Sequence, residues 1–128
     1  MRGAYFEQIS MVGIDLSGAD LGGVFMHGCH VSKSIIRNAN LCAANVKESS
    51  FIDSDLSRTN MWYMNASLAS FRGAKISGGA IQYAILARTE FRGANITARN
   101  ICGSWNLIWN TIMPDGTIVE GPQWGDGR

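Results

Sequence analysis

The hydrophobic positions of the chain recur every five residues. From Phe6 they read Phe6, Met11, Leu16, Leu21, Met26, Val31, Ile36, Leu41, Val46, Phe51, Leu56, Met61, Ala66, Phe71, Ile76, Ile81, Leu86, Phe91, Ile96 and Ile101, and nineteen of these twenty are Leu, Ile, Val, Met or Phe. The other positions between 4 and 103 hold only ten such residues, so the period is not a by-product of composition. A second column lies two residues earlier, from Ala4 to Arg99, and fifteen of its twenty members are Ala, Ser, Thr, Cys or Gly. One large and one small inward position per five residues fit neither the 3.6-residue period of a helix nor strict strand alternation. The chain must turn a corner in every unit.

The position between the two columns favours Asp and Asn, as at Asp15, Asp20, Asn40, Asn45, Asp55, Asn60, Asn65 and Asn95. Their short polar side chains bond readily to nearby backbone at turns. The two positions after each large residue are polar or glycine-rich and are expected to face solvent.

Ala19-Asp20-Leu21-Gly22-Gly23, Ala39-Asn40-Leu41-Cys42-Ala43 and Ala94-Asn95-Ile96-Thr97-Ala98 resemble the A-(D/N)-L-x-x pattern of the pentapeptide-repeat family. The resemblance covers residues 4–103. It implies an all-β, right-handed quadrilateral β-helix, a solenoid with four units per coil and about five coils, in which residues twenty apart stack. With about 4.8 Å between neighbouring strands, the shaft would be roughly 24 Å long. Met11, Val31, Phe51, Phe71 and Phe91 then form one interior column, with the three phenylalanine rings stacked. Ala66, the small member of the large column, shares its unit with Met64, the lone Met of the small column. The flexible Met64 side chain is expected to fill the space Ala66 leaves.

The pattern divides the chain into a β-helix over 1–103 and a C-terminal capping helix and tail over 104–128. Ser104 is a candidate N-cap, and the apolar residues after it lie at helix-like spacings. Trp105, Trp109, Ile112 and Met113 are expected to cover the last coil, and Pro114-Asp115-Gly116 to end the helix. The segment from Asn110 to Thr117 resembles the tail that follows the repeats in relatives from photosynthetic organisms, and Thr117 to Arg128 is expected to cross the shaft or trail from it. No comparable lid precedes Ala4. The first coil is therefore expected to be open to another molecule.

Eleven Lys and Arg against ten Asp and Glu leave a formal charge of +1, which favours neither nucleic acid nor a membrane as partner. Some pentapeptide-repeat proteins resemble a DNA duplex and act on DNA gyrase. That mimicry needs a markedly acidic surface, which the near-neutral charge disfavours. No Walker loop, HExxH, GxSxG or paired-carboxylate arrangement occurs, so no catalytic or cofactor site is expected. His27, Cys29 and His30 are close in sequence, but the register turns Cys29 inward and leaves the histidines outside on different sides of a corner, so no metal site is expected.

Cys42 and Cys102 face outward sixty residues apart, in one column of the twenty-residue stack, about 14 Å from each other and too far to bridge. Three unpaired cysteines and a start without a secretory signal's apolar core point to the cytoplasm ahead of the thylakoid lumen or periplasm. Trp62, Tyr63 and Tyr83 form an exposed aromatic strip. Arg72, Arg88 and Arg92 belong to a basic bias toward the C-terminal end, and Arg99, in the small column, must find an exposed orientation. The expected function is a non-catalytic scaffold that engages a protein partner, another copy of the chain included.

Overall fold

The computed structural model describes residues 1–124 of the chain. Parallel pairings step up the molecule by twenty residues, from Ser10↔His30, Asp15↔Ile35 and Asp20↔Asn40 to Ser70↔Glu90. Strand β1 (Tyr5–Glu7) pairs with β2 (Phe25–His27) in the same step. Four five-residue units therefore complete one period, and the result is a β-helix-like solenoid with four faces and, among the described residues, one short helix.

Each corner is a turn between a large-column residue and the small-column residue three positions on. The Ala19 amide donates to the Leu16 carbonyl at 3.0 Å, and Gly18 between them has φ 68°. That is a type II turn, which needs a left-handed residue at its third position. Lys33, Asn38 and Tyr63 take the same position with φ between 56° and 58°. The Asp and Asn preference has a direct cause: Oδ1 of Asp15 accepts the Ser17 amide at 2.9 Å, and Oδ1 of Asn40 accepts that of Cys42 at 3.0 Å. Where Asp or Asn bonds in this way, the side chain fixes the entrance to the corner.

The large column fills the interior. Phe51, Phe71 and Phe91 are fully buried, with ring centroids 5.2 Å and 5.4 Å apart and planes within 9° of parallel. Met64 and Ala66 are both buried within the same unit. Inward serines in the small column act as relays. Ser54 Oγ accepts the Ser34 amide at 3.0 Å and donates to the Val31 carbonyl at 2.7 Å, so its hydroxyl bridges the two ends of the turn one coil below. Ser34 does the same for the turn from Met11 to Ile14. A buried hydroxyl is thereby satisfied at no loss to the turn, and every buried side-chain N or O among the described residues has a partner.

The two ends differ. In the first coil Phe6, Met11 and Leu16 are only partly covered, whereas Met26, Val31 and Ile36 directly above them are buried. The C-terminal end is closed, but not by the expected helix. The one helix among the described residues is α1 (Ala98–Cys102), capped by Thr97, whose side chain accepts the Asn100 amide. Residues 104–113 instead form strands: β3 (Ile85–Ala87) pairs parallel with β4 (Leu107–Trp109), and β5 (Thr111–Ile112) follows.

Two features rule out a helix there. Trp105 and Asn110 have φ of 60° and 50°, which a right-handed helix does not accept. Asn106 and Ile108, then Thr111 and Met113, are all buried as new small and large inward pairs, so the five-residue pattern resumes beyond Gly103. The tail then folds back: β6 (Ile118–Val119) pairs antiparallel with β5, and β7 (Gln123–Trp124) pairs antiparallel with β4. These strands cover the edge of the last turn that would otherwise stay unpaired. The end of the expected tail, residues 125–128, lies outside the described residues.

α1 is an excursion from the stack. Its Ile101 is fully buried, while Arg99 points to solvent. Beyond it the pairings step by twenty-two residues, Leu107 over Ile85 and Ile112 over Glu90. Asn106 therefore stands over Ala84, where its Oδ1 accepts the Ala84 amide at 2.9 Å and its Nδ2 donates to the Ile81 carbonyl at 3.2 Å and the Ile101 carbonyl at 3.0 Å. It closes the last corner as the serines close those below, and it also ties the excursion to the shaft.

Candidate interaction surface

The corner that follows the Leu41, Met61 and Ile81 face carries the aromatic strip. Trp62 and Tyr63 occupy the two outward positions after Met61, and Tyr83 stands one period above Tyr63. The two tyrosine rings lie 5.3 Å apart and 13° from parallel, and the Trp62 ring sits 6.1 Å from Tyr63 and 5.7 Å from Tyr83. Tyr63 is 57% and Tyr83 43% exposed. Stacking stabilises the three against each other, yet about half of each tyrosine still faces water.

The strip is longer than the sequence suggests. The Tyr83 amide donates to the Ser104 carbonyl as the Tyr63 amide donates to that of Gln82, so Trp105 continues the tyrosine column. Trp105 is 48% and Trp109 45% exposed; Met113 is buried and Ile112 partly covered. Of the four residues expected over the last coil, the two tryptophans thus face outward. The cause is the two-residue slip, which puts Trp105 and Trp109 at outward positions of the resumed repeat.

The arginines do not join the strip. Arg72 and Arg92 stack in one outward column after Phe71 and Phe91, on the corner diagonal to the aromatic one, and Arg92 approaches Glu90 at 3.9 Å. Arg88 is exposed on a third corner. Cys102 leaves the Cys42 column altogether, because it belongs to α1 and Ser104 takes the place over Gln82. Burial raises its thiol pKa above the ordinary value. All three cysteines are free thiols.

His27 lies between carboxylates, with Nδ1 3.7 Å from Glu7 and Nε2 bonded to Glu48. Cys29 is buried and turns its sulfur toward the Phe6 carbonyl at 3.5 Å. No group of three or more His, Cys, Asp or Glu among the described residues is placed to hold a metal. A second aromatic pair, Tyr5 stacked on Phe25 at 4.5 Å, was legible as residues twenty apart. Among the described residues no helix is long and apolar enough to cross a membrane.

A twenty-residue ladder, Asx-type corners and alternating large and small inward columns are the structural form of the five-residue repeat, and a model of pentapeptide repeats matches residues 1–38 and 34–73 with eight copies. The chain belongs to the pentapeptide-repeat family. No curated protein matches its sequence. Among solved structures it resembles HetL, a pentapeptide-repeat protein involved in heterocyst differentiation regulation in the cyanobacterium Nostoc, with 22% identity and TM-score 0.57 over 92% of this chain. The chain spans 59% of HetL's length, and the likeness shows the fold. A pentapeptide-repeat protein of the Arabidopsis thaliana thylakoid lumen is 23% identical over 88% of this chain and 84% of its own, with TM-score 0.46. QnrB1, a plasmid-mediated fluoroquinolone resistance protein, is 18% identical over 84% of this chain and 55% of its own, with TM-score 0.47.

Proposed function

We propose that this pentapeptide-repeat chain is a non-catalytic scaffold, a right-handed rod of about five coils that holds a protein partner against the corner formed by Trp62, Tyr63 and Tyr83. The observation that carries the reading is the tyrosine pair. Two stacked rings on consecutive coils, flanked by Trp62 and continued by Trp105, leave a large aromatic surface in water on a rigid shaft. Aromatic side chains contribute much contact area at low entropic cost, and they are enriched where proteins meet. The three free thiols support a reducing compartment such as the cytoplasm.

A duplex-mimicking rod needs a field of negative charge, and this chain carries +1 overall. The protein-scaffold reading is the better supported of the two. It is tested by light scattering on the chain and on a variant carrying Trp62→Ser, Tyr63→Ser and Tyr83→Ser. An assembly that falls to monomer in the variant identifies a second copy as the partner, and a monomer in both leaves the strip free for a different protein. An assembly that survives the triple change takes the interface off the strip and contradicts the reading.

A further inference from the structure

At the other end of the Leu41–Met61–Ile81 face, one corner away from the aromatic strip, three cations open onto a single groove. It is an open surface groove of about 490 Å³, lined by polar and charged side chains. Arg37, Arg58 and Lys75 come from three successive coils, about 10 Å of shaft height. The one carboxylate among them is Asp55.

The polar atoms of the groove are arranged to give hydrogen bonds. Asp55 is already engaged, since its Oδ1 accepts the Ser57 amide at 3.0 Å and the Ser57 hydroxyl at 2.5 Å, and its Oδ2 pairs with the Arg37 guanidinium, 3.1 Å from Nε. That ion pair lies on the Nε side of the guanidinium and leaves its terminal nitrogens for a ligand. The Asn95 orientation is set by its Oδ1, which accepts the Ile76 amide, so its Nδ2 donates to Ser77 Oγ at 2.9 Å. Ser77 Oγ thus already accepts one hydrogen bond and keeps its own proton to give.

Arg58 is directed by a gap. A Cβ on Gly78, which stands over Arg58, would lie 3.2 Å from Arg58 Cγ, so the arginine stem runs up across the space that Gly78 leaves. The cation is thereby turned toward the level of Lys75 and Ser77. Three cations and a hydroxyl donor, set against one carboxylate that is already engaged, fit a compact polyanion with several acceptor oxygens.

We infer that this groove binds a phosphate monoester carried on a small carbon frame, with Arg37, Arg58, Lys75 and Ser77 holding the phosphate oxygens. The groove is larger than a phosphate group alone and, being open on one side, leaves room for the frame. The site is separate from the aromatic strip and does not depend on the scaffold reading.

The test is calorimetric titration of the full chain with glycerol 3-phosphate, with glycerol as the uncharged control. Saturable binding of the ester, absent for glycerol, is expected to weaken about tenfold in Arg58→Gln and again in Lys75→Gln, the weight of one charge-assisted hydrogen bond each. Arg88→Gln, on a different corner, should leave it unchanged. These side chains are exposed, so the variants should fold, and circular dichroism verifies that each does. No saturable binding, or equal weakening by Arg88→Gln, would overturn the assignment.

Discussion

Leu107 stands over Ile85 across twenty-two residues, where each pairing below it spans twenty. The difference is absorbed by α1, which leaves the stack yet returns Ile101 to the core. A surface decoration would have no such anchor. Ile101→Ala is therefore expected to destabilise the chain by about 3 kcal/mol, as a large-to-small change in a packed core does, and about as much as Leu86→Ala. Urea unfolding measures both, and a cost for Ile101→Ala below about 1 kcal/mol, the range of an exposed site, would show that the excursion is not part of the core.

Asn106 and Ser54 do related work with different stakes. In Ser54→Ala the Ser34 amide and the Val31 carbonyl are left free to bond directly, as Val24 and Leu21 do at 3.1 Å, so a loss of about 1 kcal/mol is expected. Asn106→Ala frees the Ala84 amide and the Ile81 carbonyl in the same way, but it also strips the Ile101 carbonyl of this partner and empties space at a fully buried site. About 3 kcal/mol is expected there, with faster hydrogen exchange at the amides of β4.

Several corner carboxylates are held below the ordinary aspartate pKa of about 4. For Asp15 the Ser17 hydroxyl is the main cause, and for Asp115 the Thr117 hydroxyl. At Asp55 partial burial opposes ionisation, but the Ser57 hydroxyl and amide together with Arg37 and Lys75 outweigh it. A pKa lower in the folded than in the unfolded chain gives stability that is present above about pH 4 and lost as pH falls through the folded value. Asn at these positions keeps the Oδ1 acceptor, as Asn40 and Asn65 do. The triple change Asp15→Asn, Asp55→Asn and Asp115→Asn should leave the pH 7 melting temperature within a few degrees and flatten its decline below about pH 4. Thermal melts from pH 7 down to about pH 2 measure the difference.

Tyr63 has φ 58°, a left-handed conformation that costs most residues and suits glycine. If the ring served only the shaft, losing its stacking would be a net loss. Because relief of the backbone offsets that loss, Tyr63→Gly is expected to change stability by less than about 1 kcal/mol. Chemical unfolding of the variant checks the figure, and a loss above about 2 kcal/mol would assign the ring to fold maintenance.

The inward columns could be read from the sequence because each coil repeats the same physical demand: one large and one small side chain inside, and an Asx corner outside. Phe51, Phe71 and Phe91 illustrate how far this carries, since a twenty-residue step alone puts their rings in one stack. The closing turn was hidden for an equally physical reason. Trp105 and Trp109 are four residues apart and mimic a helical face, whereas the deciding pairs, Asn106 with Ile108 and Thr111 with Met113, continue the repeat after a slip of two residues. A search that allows the phase to shift would find them. The return of β6 and β7 over the last coil had no comparable signal, because Ile118-Val119 and Gln123-Trp124 are too short to show a period. The Arg37, Arg58 and Lys75 groove was also illegible, since its cations occupy three different columns and meet only through side-chain direction.

The scaffold reading is tested most directly by crosslinking in cells, with a photoreactive phenylalanine analogue at Tyr63 and, as control, at Lys33, an exposed left-handed corner diagonal to the strip. The account predicts a discrete protein adduct from position 63, of the chain's own mass or another, and none from position 33. No adduct from position 63, or the same adduct from both positions, would contradict it.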